Sequence, residues 1–191
     1  MGDSKSDTDR TWPTLMFADL NTAGLATQNV FAEDLPRNWA VGGYKLSTLK
    51  SSFDAFMLEH AGKASSVCDK FVFLINVGAN DVSGVIVEAT WKTNYNYIID
   101  AILTEYPTGK IYITKPWRRD YGTECDTLAG YIDDIVAAYA ISNPDHVYVG
   151  DDECTWLEGG DNGATMSSDG IHYSTAGNTA KAAAIRAVIG Y

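Results

Sequence analysis

Cysteine, histidine and positive charge are all scarce in this chain, and each scarcity removes a class of function. The three cysteines in 191 residues, Cys68, Cys125 and Cys154, show no CxxC spacing and no accompanying histidine cluster. A metal site is therefore not expected, and no cofactor is read. Plain thiols are the expectation for all three, with a Cys125–Cys154 bridge as the alternative, because both are expected on loops at the same sheet edge. Fourteen Lys and Arg against 25 Asp and Glu leave a formal net charge of −11. Nucleic-acid binding rests on cationic side chains neutralising phosphates, so that balance argues against such a partner. No apolar run approaches the length of a bilayer-crossing helix. No basic segment followed by an apolar stretch opens the chain, so no secretory leader is read and a cytoplasmic setting is the default. No Gly-rich phosphate loop follows a strand-like run, which disfavours a nucleotide-binding domain. Repeats, low-complexity tracts and linkers are also missing, so residues 1–191 read as one domain large enough to bury its own core.

What is present alternates between two periodicities. The run 70–76 (Lys-Phe-Val-Phe-Leu-Ile-Asn) is apolar throughout and rich in β-branched and aromatic residues, as expected of a strand buried on both faces. Residues 111–114 and 146–149 read the same way, and Asn29-Val30-Phe31 more weakly. Between them lie helical patterns. Residues 44–60 space Leu46, Leu49, Phe53, Phe56 and Met57 by threes and fours, and 94–106 carry Tyr95, Ile98, Ile99 and Ile102. Residues 126–141 carry Leu128, Ile132, Ile135, Val136 and Tyr139, with Pro144 just beyond. The Ala-rich stretch 174–189 starts at Ser174 or Thr175, either of which can cap it. Strand alternating with helix implies an α/β domain with a parallel, doubly wound sheet, whose ligands bind beyond the carboxyl ends of the strands.

Three short clusters are delivered to that edge by their order along the chain. Gly2-Asp3-Ser4 offers a hydroxyl that becomes a nucleophile only with a base in reach; the plainer reading is a solvated tail. Gly78-Ala79-Asn80-Asp81 follows the strongest strand, and the Asn80 amide could donate to a developing oxyanion. Ordinary turn chemistry explains the same residues. Asp81 reads as a brace for that turn. Asp169-Gly170-Ile171-His172 places a carboxylate three residues before an imidazole, on the same side of a helical turn, where it can fix one ring nitrogen as N–H and leave the other as a base. His60 reads as a helix-terminal residue, and His146, at a strand start, lacks such a carboxylate. Gly43, in Val41-Gly42-Gly43-Tyr44, could bring a backbone N–H close to a ligand. Nucleophile, amide donor, base and orienting carboxylate are the parts needed for acyl transfer through a serine.

With these residues together, the chain resembles the SGNH hydrolase family of GDSL esterases and lipases. Gly2-Asp3-Ser4-Lys5-Ser6 is similar to the first block, 38–43 to the glycine block, Gly78–Asp81 to the asparagine block and Asp169–His172 to the last. The resemblance implies a three-layer, flavodoxin-like fold. It also implies a catalytic triad of Ser4, Asp169 and His172, with an oxyanion hole from the Ser4 and Gly43 N–H groups and the Asn80 amide. One departure stands out. Family members carry a central strand immediately before the Gly-Asp-Ser turn, and here only Met1 precedes it. The expectation is a sheet lacking its first strand, unpaired neighbours and Ser4 on a fraying end, as in a truncated chain.

Four of the five tryptophans fall on the expected active edge, and flat aromatic faces suit sugar rings. Trp39, Trp117, Trp156 and Tyr173 are thus candidate substrate contacts, Trp91 lies near them, and pinning of loops is the competing role. Lys115, Arg118 and Arg119 could pair an acidic sugar, although Asp120 and Glu124 nearby favour a solvated charge cluster. The expected activity is hydrolysis of short-chain, acetyl-type esters on carbohydrate; oligomeric state is not legible. The competing reading is a catalytically weak carbohydrate-binding or interaction domain of a larger assembly.

Overall fold

The computed structural model describes residues 1–3, 5–6, 12–16, 40–60, 71–157, 165–167 and 169–190. In chain order the named elements are helix α1 (Leu46–His60), strand β1 (Val72–Ile75), helix α2 (Glu88–Glu105) and strand β2 (Lys110–Lys115). A 3-10 turn (Arg119–Tyr121), helix α3 (Gly122–Ser142), strand β3 (Val147–Asp152) and short helix α4 (Glu153–Leu157) follow, and helix α5 (Thr175–Ile189) closes the chain. The strands form a parallel sheet in the order β1-β2-β3, with Val72 opposite Lys110 and Ile111 opposite Val147. Parallel neighbours require a crossover, and here each crossover is a helix. The chain is α/β, as its alternating periodicities require.

The apolar stripes named from spacing are the core. Leu46, Leu49 and Phe53 of α1 are buried, as are Tyr95, Ile98, Ile99 and Ile102 of α2 and Leu128, Ile132, Ile135 and Tyr139 of α3. Helix α2 begins six residues before the expected start because Trp91, one turn ahead of Tyr95, extends the same stripe. The run expected to be a strand buried on both faces is only partly so. Val72 is 42% exposed, whereas residues 111–114 of β2 are all buried. Among the described residues β2 has a strand on each side, and β1 has one only.

The N-terminus corrects part of the expectation. No named strand precedes Gly2, yet Met1–Asp3 is hydrogen-bonded beside the end of β1. The Met1 amine donates to the Leu74 carbonyl (2.8 Å), and Asn76 N–H donates to the Met1 carbonyl (2.9 Å). Asp3 N–H donates to the Asn76 carbonyl (3.1 Å), and Val41 N–H to the Gly2 carbonyl (3.2 Å). Gly2 thus makes parallel bridges to Ala40 and to Asn76 at once. A Cβ there would sit 2.4 Å from the Asn76 carbonyl oxygen, so only glycine fits. Asp3 is 1% and Lys5 0% exposed, so both neighbours of Ser4 are anchored. Ser4 itself, Trp39, Cys68 and the weak strand candidate at 29–31 lie outside the described residues.

Cys125 and Cys154 are buried thiols and are not joined to each other. They stand on α3 and α4, not on loops, and point at the Arg118 and Pro116 carbonyls respectively.

Helix α5 opens as expected, with Ser174 Oγ accepting from Gly177 N–H at 3.1 Å. Replacing Ser174 by Ala removes that acceptor, and urea unfolding should show a loss of about 1 kcal/mol with an unchanged m-value.

Candidate active site

The imidazole and its carboxylate are held by a turn and not by helical spacing. Residues 169–172 form bends, with Gly170 at φ 78°. Asp169 Oδ1 accepts from Ile171 N–H (2.8 Å) and His172 N–H (2.7 Å), an Asx-type turn. Its other oxygen, Oδ2, lies 2.7 Å from His172 Nδ1. The correction is physical: a short carboxylate curled over its own backbone reaches the ring three residues on without any helix. Glycine is required at 170, where a Cβ would meet Arg119 Cβ at 2.8 Å, and Arg119 N–H donates to the Gly170 carbonyl (2.9 Å). Burial is the largest single influence and pushes the Asp169 pKa up, but the hydrogen bonds from the His172 N–H, its ring and the Ile171 N–H together hold the carboxyl well below the usual carboxylate range. With the proton on Nδ1, facing that anion, the neutral ring carries its lone pair on Nε2, the arrangement a general base needs.

The two donor candidates are fastened to each other. Asn80 Nδ2 donates to the Tyr44 carbonyl at 3.1 Å, and Asp81 accepts from Leu46 N–H (3.1 Å to Oδ2), bracing the start of α1. Tyr44 N–H in turn closes the 41–44 turn onto the Val41 carbonyl (3.2 Å), with Gly43 at φ 79°. A primary amide has two N–H bonds. One orients Asn80, and the second has no partner among the described residues. Gly43 is exposed, and the space where its Cβ would lie is empty.

Several aromatic candidates face the core. Trp117 is 3% and Tyr173 5% exposed, so neither offers a ring face to a sugar. Trp91 is buried against Tyr95 and Tyr131. Trp156, half-buried, donates from Nε1 to Asp151 and lies 5.9 Å from the Tyr173 ring. Trp91 and Trp156 stand on helices, and the rings of Trp117 and Tyr173 anchor their loops to the core. The cations are spent inside the chain as well: Lys115 on Asp133 (2.9 Å), Arg118 on the Ala79 carbonyl (3.3 Å) and Arg119 on the Ser167 carbonyl. Their partners are thus not the Asp120 and Glu124 suggested by adjacency. His146 Nδ1 meets the Gly109 carbonyl (2.8 Å) and is structural. Among the described residues no cluster of His, Cys, Asp or Glu could hold a metal.

Sequence reasoning missed a buried ionic network beneath the site. Glu153 Oε2 accepts from Lys5 Nζ (2.6 Å) and Trp117 N–H (3.1 Å). Glu153 Oε1 accepts from Lys181 Nζ (2.9 Å) and the Tyr173 hydroxyl. Lys181 also reaches Asp151 (2.6 Å) and Thr114 (3.2 Å). Burial alone would raise the Glu153 pKa, but the Lys181 and Lys5 ammonium groups hold it at about 2. The available cue was Lys181 itself, a cation on the inward stripe of α5 beside Asn178, Ala182 and Ile185.

No protein-family model and no curated protein sequence matches the chain. Solved structures do. A carbohydrate esterase family 3 from Talaromyces cellulolyticus aligns with TM-score 0.72 at 16% identity, over 97% of this chain and 91% of that one. The lipase/acylhydrolase from Enterococcus faecalis aligns with TM-score 0.71 at 20% identity, over 99% and 93%. Axe2, an acetylxylan esterase from Geobacillus stearothermophilus, aligns with TM-score 0.69 at 16% identity, over 100% and 92%. The chain has the fold of these SGNH-type esterases and acylhydrolases.

Asp3, beside Ser4, sets a pH dependence. Burial raises its pKa to about 6, against the opposing pull of Lys5. The folded chain therefore binds this proton more tightly than the unfolded chain, and Asp3 weakens the fold as pH rises from about 4 to 6. Relative to Asp3→Asn, the wild type should gain on the order of 3 kcal/mol between about pH 7 and pH 4, read from urea melts. A pH-independent difference would contradict the assignment.

Proposed function

We propose that the protein is a serine ester hydrolase acting on short acyl groups, acetyl foremost, carried by carbohydrate. The observation that carries the reading is the Asp169–His172 pair, 2.7 Å apart and fixed by two further backbone hydrogen bonds to the same carboxylate. Such a pair has one job that a structural histidine does not need, namely to hold Nε2 as a base of fixed direction. The esterase fold, and neighbours described as carbohydrate esterase and acetylxylan esterase, support the substrate class.

In this mechanism Ser4 Oγ attacks the ester carbonyl carbon as His172 Nε2 takes its proton. Charge builds on the carbonyl oxygen, where the Asn80 amide and the Gly43 and Ser4 N–H groups donate to it. Collapse breaks the bond to the alcohol, which leaves with the proton from His172. Water then attacks the acyl-Ser4 carbonyl through the same base, and release of the acid restores the hydroxyl. Asp169 stays ionised throughout and stabilises the imidazolium.

Purified protein should hydrolyse p-nitrophenyl acetate. Ser4→Ala and His172→Ala should each remove nearly all of that activity, and Asn80→Ala should lower kcat roughly 10²–10³-fold. Equal rates for wild type and Ser4→Ala would leave no hydrolase. Across an acetyl-to-octanoyl ester series with acetylated polysaccharide alongside, activity should fall sharply beyond butyryl. A flat profile would overturn the short-chain assignment. A carbohydrate-binding domain without catalysis is less favoured, because the rings of Trp117 and Tyr173 are turned into the core.

A further inference from the structure

Glu153 joins two segments that are far apart in sequence and adjacent to the two reacting side chains. One oxygen holds Lys5, the residue after Ser4; the other holds Tyr173, the residue after His172. We propose that Glu153 is a positioning residue whose carboxylate sets the placement of the nucleophile segment against the histidine loop. The proposal rests on the ester-hydrolase reading above.

Three features support a role in positioning beyond cohesion. The first is burial: Lys5, Glu153 and Lys181 are each 0% exposed, and Asp151 is 3%. Two ammonium groups balance two carboxylates there, all four shielded from bulk solvent. A buried ion network of this kind is a poor source of stability, since apolar side chains of equal volume serve as well or better. Its geometry is directional, however, and each oxygen of Glu153 has two donors. The second is connectivity. Trp117, whose N–H also donates to Glu153, gives its carbonyl to Lys5, so the β2 loop is locked to the nucleophile segment. The third is a neutral route beside the charged one. Trp12 donates from Nε1 to the Lys5 carbonyl (2.9 Å) and from its N–H to Asn178 (3.1 Å). Asn178 donates to the Tyr173 carbonyl (3.3 Å). That route keeps the two segments associated when the charged one is cut. Loss of Glu153 should therefore shift them and not release them.

Misplacing reacting groups by about an ångström is enough to cost roughly 10²-fold in rate. The test uses a fluorophosphonate, whose phosphorus bonds to the serine oxygen as fluoride leaves and the hydroxyl proton passes to the imidazole. Wild type, Glu153→Gln and Tyr173→Phe are labelled in parallel, with Ser4→Ala as the blank. The expected result is full labelling at the end point in all but Ser4→Ala. The rate constant should drop roughly 10²-fold in Glu153→Gln and by a smaller factor in Tyr173→Phe. The kcat for p-nitrophenyl acetate should fall in step, with KM little changed. A lower end point at the wild-type rate constant would mean that Glu153 only maintains folded protein, and would overturn the proposal. So would wild-type rates in both variants. Should Glu153→Gln not fold, Tyr173→Phe decides, since it removes one hydroxyl and keeps the ring. Wild type that labels no better than Ser4→Ala would sink the hydrolase reading itself, and this proposal with it.

Discussion

Beneath the candidate site, the carboxylate of Glu153 accepts hydrogen bonds from residue 5 near one end of the chain and residue 173 near the other, with Lys181 of the last helix closing the group. A parallel sheet makes such a meeting possible. Every strand points its carboxyl end the same way, so loops after successive strands gather at one edge whatever their distance in sequence. The sheet alone leaves those loops loosely related. The buried ions add direction, and the cost of burying them is offset only while each keeps its partners.

The same economy of contacts is visible at the start of the chain. Three residues, Met1 to Asp3, hydrogen-bond to β1 and its extension on one side and to Val41 on the other. Met1 to Asp3 are thus held through backbone groups of their neighbours, and the side chain of Lys5 anchors the segment from its other end. Asp3 packs into that junction with its Oδ2 lacking a partner, which is why burial, and not pairing, dominates its ionisation. The fold tolerates this strain in electrostatics next to the residue proposed to react.

Much of the architecture was legible because periodicity reports directly on burial. The spacing of Ile98, Ile99 and Ile102, or of Leu128, Ile132 and Ile135, has no other cheap explanation, and all six are in the core. The depth of burial along β1 was not legible: 70–76 is the most apolar run, yet Val72 is exposed, because burial of a strand depends on what lies beside it. The Asp169–His172 pairing was readable from spacing, but for the wrong local reason, since an Asx turn delivers it. Aromatic residues misled, because Trp117 and Tyr173 look the same in sequence whether they line a groove or fill the core. The Glu153 network was invisible except for Lys181, since single acidic and basic residues far apart carry no periodic signal.

The central claim is that the hydroxyl of Ser4, the imidazole of His172 and the amide of Asn80 converge on one reacting carbon. A crystal structure of the phosphonylated protein tests it directly. The account requires phosphorus bonded to Ser4 Oγ, one phosphonyl oxygen within hydrogen-bond distance of Asn80 Nδ2, and His172 Nε2 facing the serine oxygen. An adduct on another residue, or a Ser4 adduct with Asn80 and His172 turned away from it, would contradict the account.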